Sequence, residues 1–331
     1  MEIRFNKSHG LRNDLQIVLP RAEVEDALFH IANRGRLMQL PGLVRHIPKQ
    51  DPNVRWQVND CKIPVEEHLK LLTEQGQAIL DHNGYPKRRV IAIGSRNVGN
   101  NHGFIAWQKN ENPKPFHIQG DPLNYPSYSC LVRHRNGRLA IQALRFDRDR
   151  VFDGDAEITE EIEWCVFANW ALRDGKVVNI EDVIEQFYDI RHVLAFDLER
   201  EAGRQIEAEI YKDYPGRFRE NAIQALRDKG APRNRFLHNC LGLSDDHIFI
   251  LQREGTIEEV ANWLKDAGAN DGIILDNGGS VFCWAWWLHP KGGFLFTAPD
   301  FRPASSAVIA FVLKGPAAPS MPSGSVSFSI V

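Results

Sequence analysis

The sequence predicts an α+β protein, with a mixed sheet core, flanking helices and a helical insertion. Three observations lead there. Residues 56–180 and 232–315 alternate short apolar runs with stretches of helical spacing. Two dipeptides, Asn136-Gly137 and Asp174-Gly175, each lie between apolar runs, and such pairs join antiparallel strands because both positions tolerate positive φ. Residues 181–229 change character: they are rich in Glu and Arg and helical in pattern. The charge mix over Leu198–Glu209 reads as a solvated face.

Taken in order, residues 1–55 read as an N-terminal extension. Leu15–Leu19 is a strand candidate within it. Glu23–Asn33 has helical spacing at Val24, Ala27, Leu28, Ile31 and Ala32. The core is expected over 56–315, interrupted by the insertion at 181–229. Val65–Leu80 reads as a helix with an uneven apolar face. Val90–Ile93, His102–Gln108 and Ser129–Arg133 read as strands. "SCLVRH" and "LAIQALRF" flank the first hairpin turn; "VFANWAL" and "VVNI" flank the second. His247–Gln252 is a strand. Thr256–Ala267 carries the clearest helix signal: Thr256 with Glu259 three residues on forms a capping box. Ile257, Val260, Ala261 and Leu264 make one face, and Gly268 ends the helix. Ile273–Leu275 follows, closing a strand–helix–strand unit. From 316 to 331 a linker-like "PAAPSMPSGS" precedes "VSFSIV", a candidate edge strand.

Composition excludes several classes. The 331 residues are 43% hydrophobic and 25% charged, with a net charge of −3, ordinary for a globular protein with a sizeable core. No bulk positive charge favours nucleic acid or an anionic membrane surface. No apolar run approaches the length of a membrane span. The polar N-terminus carries no signal-peptide pattern. Five cysteines, Cys61, Cys130, Cys165, Cys240 and Cys283, are odd in number and lack CxxC spacing, so neither a disulfide framework nor a zinc site is expected. A reducing, cytoplasmic setting follows as the expectation. The histidines form no HxH or HxxxH pair; neither metal nor cofactor is expected.

The chemistry concentrates at "DGIILDNGGSVFCWAWW" (271–287). An apolar strand stops at Asp276-Asn277-Gly278-Gly279-Ser280, and an aromatic run follows at once. Two readings are open. In one, the segment is a tight bend whose Asp caps its own turn. In the other, it is the floor of a site: the glycines let a ligand approach the main chain, and ligands often bind beyond the carboxyl ends of strands. Phe282, Trp284, Trp286 and Trp287 could stack on a sugar or a base, but an alternating aromatic strand is more often core.

The segment "GTIEEVANWLKDAGANDGIILDNGGSVF" resembles the signature of the phosphodiester glycosidase family, in which a helix and an apolar strand lead into "LDGGGSS". Leu275-Asp276 and Gly278-Gly279-Ser280 match; Asn277 and Val281 replace a glycine and a serine. "FRPASSAVIAFVLK" (301–314) resembles the family's Arg-Pro before a last strand. "APRNRFLHNCLGLSDDHIFILQ" resembles its arginine-containing entry to a strand, and "CVFANWALRDGKVV" its hairpin. "AIGSRNVGNNHGFIAW" (92–107) stands where the family has an "NGG-F" loop. The resemblance implies cleavage of a sugar C1–O–phosphate bond in a small-molecule phosphodiester or nucleotide sugar. It implies Asp276 near C1 and Arg302 and Arg235 as catalytic arginines at the phosphate. Arg96, Asn97, Asn101, His102, Arg233, Asn277, Gly278, Gly279 and Ser280 follow as substrate-binding candidates. Arginine suits this task because its planar fork matches phosphate oxygens, and the transition state would be oxocarbenium-like. Two rivals stand beside this: a sugar-phosphate or nucleotide binding protein without turnover, and a protein-interaction module that uses exposed tryptophans and the insertion.

Overall fold

The computed structural model describes residues 1–7, 13–31, 63–95, 106–108, 116–118, 128–147, 150–178, 235–286, 291–305, 307–316 and 327–330. The insertion at 181–229, the linker 317–326, Cys61 and Trp287 lie outside the described residues. The architecture is α+β and mostly sheet. Two α-helices occur among the described residues, α1 (Val65–Leu71) and α2 (Ile257–Asp266).

The largest sheet has eight strands. Its spatial order is Lys176–Val177, Asn169–Arg173, Asp271–Asn277, Phe236–Leu243, His247–Gly255, Asn13–Pro20, Glu2–Lys7 and Ser327–Ile330. All neighbours are antiparallel except the last pair, which is parallel. The final strand therefore adds an edge, as the "VSFSIV" pattern anticipates. A five-stranded sheet orders Gly293–Thr297, Phe282–Ala285, Arg88–Gly94, Ala307–Pro316 and Val24–Ile31. A seven-stranded sheet holds Tyr128–His134, Leu139–Asp147 and Ile162–Phe167 at its centre.

One core joins all three sheets. Ile17, Leu241, Ile250 and Ile273 from the largest, Ile91, Ile93 and Ile309 from the five-stranded, and Leu131, Trp164 and Val166 from the seven-stranded sheet are buried together. The outer face of the large sheet is covered by α2, where Val260, Ala261 and Leu264 meet Cys240, Leu251 and Ile274. The outer face of the five-stranded sheet is covered by α1, where Val65 and Leu69 meet Val90, Ala92, Phe282 and Trp284. Alternation in each strand thus feeds two cores, one per face. Cys130, Cys165, Cys240 and Cys283 are free and buried, packing as small hydrophobes.

Helix α2 forms as its sequence requires. Thr256 Oγ1 accepts from the Glu259 amide (3.2 Å), and Glu259 accepts from the Thr256 amide (2.9 Å). Gly268 follows at φ +101°. Both predicted hairpin turns are present, with Gly137 at φ +94° and Asp174-Gly175 at +50° and +69°.

Two expectations are corrected. The helix expected over Glu23–Asn33 is a strand, Val24–Ile31, paired with Ala307–Pro316. Buried Ala27 and Ile31 satisfy a helical and an alternating period alike; pairing across nearly the whole chain decides for the strand. Trp164 Nε1 donates to the Ala27 carbonyl (2.9 Å) and its ring stacks on Phe29. Residues read as an extension therefore supply strands to two of the sheets. The helix expected over Val65–Leu80 ends at Leu71. A small hairpin follows, turning at Gln75 and Gly76, both at positive φ. The helix stops where Leu72 turns to extended backbone (φ −68°, ψ 128°), and Gly76 serves the hairpin turn that follows.

Candidate functional site

The strands His247–Gly255 and Asp271–Asn277 run parallel, linked by α2, with the antiparallel Phe236–Leu243 between them. The segment after Asp271–Asn277 leaves the large sheet and enters the five-stranded sheet as Phe282–Ala285. Asp276–Ser280 is therefore the crossing between two sheets.

A β-bulge sets the direction of Asp276. Asn239 pairs with Asp276, but its neighbour Cys240 pairs with Ile274, so Leu275 is the extra residue. Simple alternation would put Asp276 on the face of Ile274, under α2. The extra residue moves it to the inner face, opposite Asn239. Leu275 stays buried in the shared core and Asp276 is half-buried at its rim.

The two glycines serve different ends. Gly278 has φ +63°, a left-handed conformation that side chains other than Gly adopt reluctantly. Gly279 makes a close approach: a Cβ there would lie 2.7 Å from the Asp300 carbonyl oxygen and 3.2 Å from Arg302 Nε. The segment 298–302 clips over the turn. Ala298 N donates to Val281 O (3.0 Å) and Arg302 N to Gly279 O (2.8 Å). The clip delivers the exposed Arg302, whose Nη2 donates to Ser280 Oγ at 3.2 Å. Ser280 itself is buried.

Gly94 ends the central strand of the five-stranded sheet against the same turn. A Cβ on it would meet the Phe282 ring at 3.0 Å and the Ser280 carbonyl at 3.2 Å. Behind the turn lies a fully buried polar group absent from the sequence-based expectations. Asn239 Nδ2 donates to Gly94 O (2.6 Å). Gln252 Nε2 donates to Asn239 Oδ1 (3.0 Å) and to Phe282 O (2.6 Å). These bonds tie the two sheets together beside Asp276. Ser95 Oγ and Gln252 Oε1 are buried there with no hydrogen-bond partner among the described residues. The signal was present in the sequence: Asn239 and Gln252 interrupt apolar strands at inward-facing positions.

The structure thus brings together Asp276, Gly278, Gly279, Ser280 and Arg302, with Asn277 as the last residue of the strand, paired to His238. Arg235 goes elsewhere. It sits over the first turn of α2 and spans both carboxylate oxygens of Glu259 at 2.7 and 2.6 Å. That guanidinium, with the Thr256 amide, holds the Glu259 carboxyl below its ordinary range. Arg96, Asn97, Asn101, His102 and Arg233 lie outside the described residues. Phe282, Trp284 and Trp286 are buried core. Among the described residues no group of three His, Cys, Asp or Glu side chains gathers as a metal site, and no helix is long and apolar enough to cross a membrane.

No protein-family model matches the chain, and no curated protein matches it. Among solved structures the chain is similar to the zebrafish N-acetylglucosamine-1-phosphodiester α-N-acetylglucosaminidase catalytic domain auto-inhibited by its pro-peptide. The identity is 12%, the TM-score 0.46, and the match spans 91% of this chain and 77% of that one. It is also similar to a hypothetical protein from Synechocystis, at 10% identity and TM-score 0.35, over 94% of this chain and 61% of that one. Likenesses this distant carry no function across.

Proposed function

We propose that this chain is a glycosidase-like hydrolase that cleaves the C1–O bond between a sugar and phosphate, in a phosphodiester or a nucleotide sugar. The observation that carries the reading is the joining of two segments, the crossing Asp276–Ser280 and the clip 298–302, by the bonds from Arg302 N to Gly279 O and from Arg302 Nη2 to Ser280 Oγ, which place Arg302 beside the turn that follows Asp276. These are also the residues that carry the sequence resemblance.

In this mechanism water attacks C1, the C1–O bond breaks with its electron pair leaving on oxygen, and a phosphate monoester departs. The departing group is already a stabilised anion, so a strong general acid is not required. Asp276 takes the proton from water or steadies positive charge at C1. Arg302 and the turn amides receive the phosphate. Arg235 is occupied by Glu259, so among the described residues the phosphate contact is assigned to Arg302. One observation favours binding without turnover as a second reading: Asn277 replaces a glycine of the family pattern.

Phosphorus NMR of the protein with glycosyl-1-phosphate methyl diesters and UDP-sugars separates the two. A new phosphate monoester signal, lost by about 10³-fold or more in rate in Asp276→Asn, supports hydrolysis. Line broadening of the diester without a new signal supports the binding protein.

A further inference from the structure

The clip that carries Arg302 is anchored on its far side by α1. Val65 N, at the start of the helix, donates to the Pro303 carbonyl (3.1 Å), and Ala304 and Ser305 pair with Pro64 and Ile63 just before it. One side chain adds to these backbone contacts. His68 lies on the buried face of α1 with Val65 and Leu69. Its Nε2 meets the buried Ser305 carbonyl at 2.7 Å. Its Nδ1 meets Nδ1 of His30, from the strand Val24–Ile31, at 2.8 Å. The two rings meet edge to face, with centroids 5.0 Å apart.

These contacts fix where the hydrogens are. A carbonyl only accepts, so His68 Nε2 carries a hydrogen. Burial keeps this imidazole neutral, lowering it to about 4, and a neutral imidazole has one donor and one acceptor. His68 Nδ1 is therefore the acceptor, and His30 Nδ1 donates to it. An imidazolium at His30 would still donate from Nδ1, so the arrangement survives a charge on His30. Both ring nitrogens of a fully buried side chain are satisfied at once, which leaves the His68 ring one orientation.

We propose that His68, backed by His30, is a positioning residue for Arg302: its Nε2–H latches the Ser305 carbonyl and so holds the clip against the Gly278–Ser280 turn. The consequence for phosphate rests on the hydrolase reading; the latch itself does not. The Arg302 amide reports on the latch directly, because its donation to the Gly279 carbonyl exists only while the clip is seated.

The test is amide hydrogen exchange followed by NMR, with the histidine tautomers read from ring nitrogen shifts. The wild type should show His68 protonated at Nε2 and His30 at Nδ1. His68→Leu should speed exchange at the Arg302 amide by about tenfold or more relative to the amides of the strand His247–Gly255, which report global opening. His68→Gln, whose side-chain amide can still donate to the Ser305 carbonyl, should keep Arg302 near the wild-type rate. His30→Leu removes the backing donor and should speed exchange at Arg302 in the same sense, so a folding failure of His68→Leu leaves a variant to be read. A merely structural histidine would speed the Arg302 and strand amides together; that result overturns the proposal, as does a His68 protonated at Nδ1. If the wild type broadens the phosphorus signal of a glycosyl-1-phosphate methyl diester, His68→Leu should weaken the effect and His68→Gln restore it. If it binds no diester, the hydrolase reading fails while the exchange rates still decide the latch.

Discussion

The same end of the eight-stranded sheet carries two arginine-bearing corners, one on each face. On the outer face, Thr256, Glu259 and Arg235 close the start of α2. The capping box there is complete in both directions, and Arg235 Nη1 donates to both oxygens of the Glu259 carboxylate. On the inner face, Asp276, Gly278–Ser280 and Arg302 meet where two sheets join. Among the described residues, the Arg302 guanidinium makes its hydrogen bond to a serine hydroxyl, at the long distance of 3.2 Å. An arginine on a carboxylate has spent its charge on the fold. An arginine on a hydroxyl keeps its charge for an anion. Sequence alone presented both residues as equivalent phosphate ligands, and their partners separate them.

The comparison can be broken most severely by acid. His238 lies beneath the α2 corner and His68 on the buried face of α1, and burial lowers both imidazoles from 6.5 to about 4. The unfolded chain takes up these protons near pH 6.5, while the folded one resists until about pH 4. Their contribution to stability is therefore whole above pH 6.5 and lost as pH falls toward 4, by up to ~3 kcal/mol each. Urea midpoints should drop across that window, and His238→Leu should reduce the slope by about one proton. A midpoint independent of pH between 7 and 4 would contradict the buried, neutral assignment.

Next comes the crossing turn. Gly279→Ala pushes a methyl against the Asp300 carbonyl and should cost about 1–3 kcal/mol, read by denaturant unfolding. It should also loosen the clip that carries Arg302. An alanine tolerated without loss would mean that the clip does not sit tightly on the turn. The outer corner responds less. Thr256→Ala removes a cap and should cost about 1 kcal/mol. Arg235→Ala breaks an exposed ion pair (side chains 51% and 41% exposed) and should shift the unfolding midpoint least of the three.

What was legible in the sequence divides by range. The capping box of α2, both hairpin turns and the strand ending at Asp276 were readable because the deciding interactions are local. The strand at Val24–Ile31 was not, because its partner lies near residue 310 and its apolar pattern fits two periods. The turn of the site was legible as Gly-Gly punctuation, but not the reason for each glycine: one supplies a backbone conformation and the other a close contact with residue 300. The bulge at Leu275 left no local mark, and it is what places Asp276 on the inner face. Asn239 and Gln252 were visible only as polar interruptions of apolar runs. Their meaning depends on the five-stranded sheet, whose carbonyls they meet.

The central claim is that the inner corner, and not the outer one, receives a phosphate group. Phosphorus NMR line broadening of a glycosyl-1-phosphate methyl diester tests it with three proteins side by side. The wild type and Arg235→Ala should broaden the signal equally, and Arg302→Ala should leave it sharp. Broadening that survives in Arg302→Ala but disappears in Arg235→Ala would contradict the account.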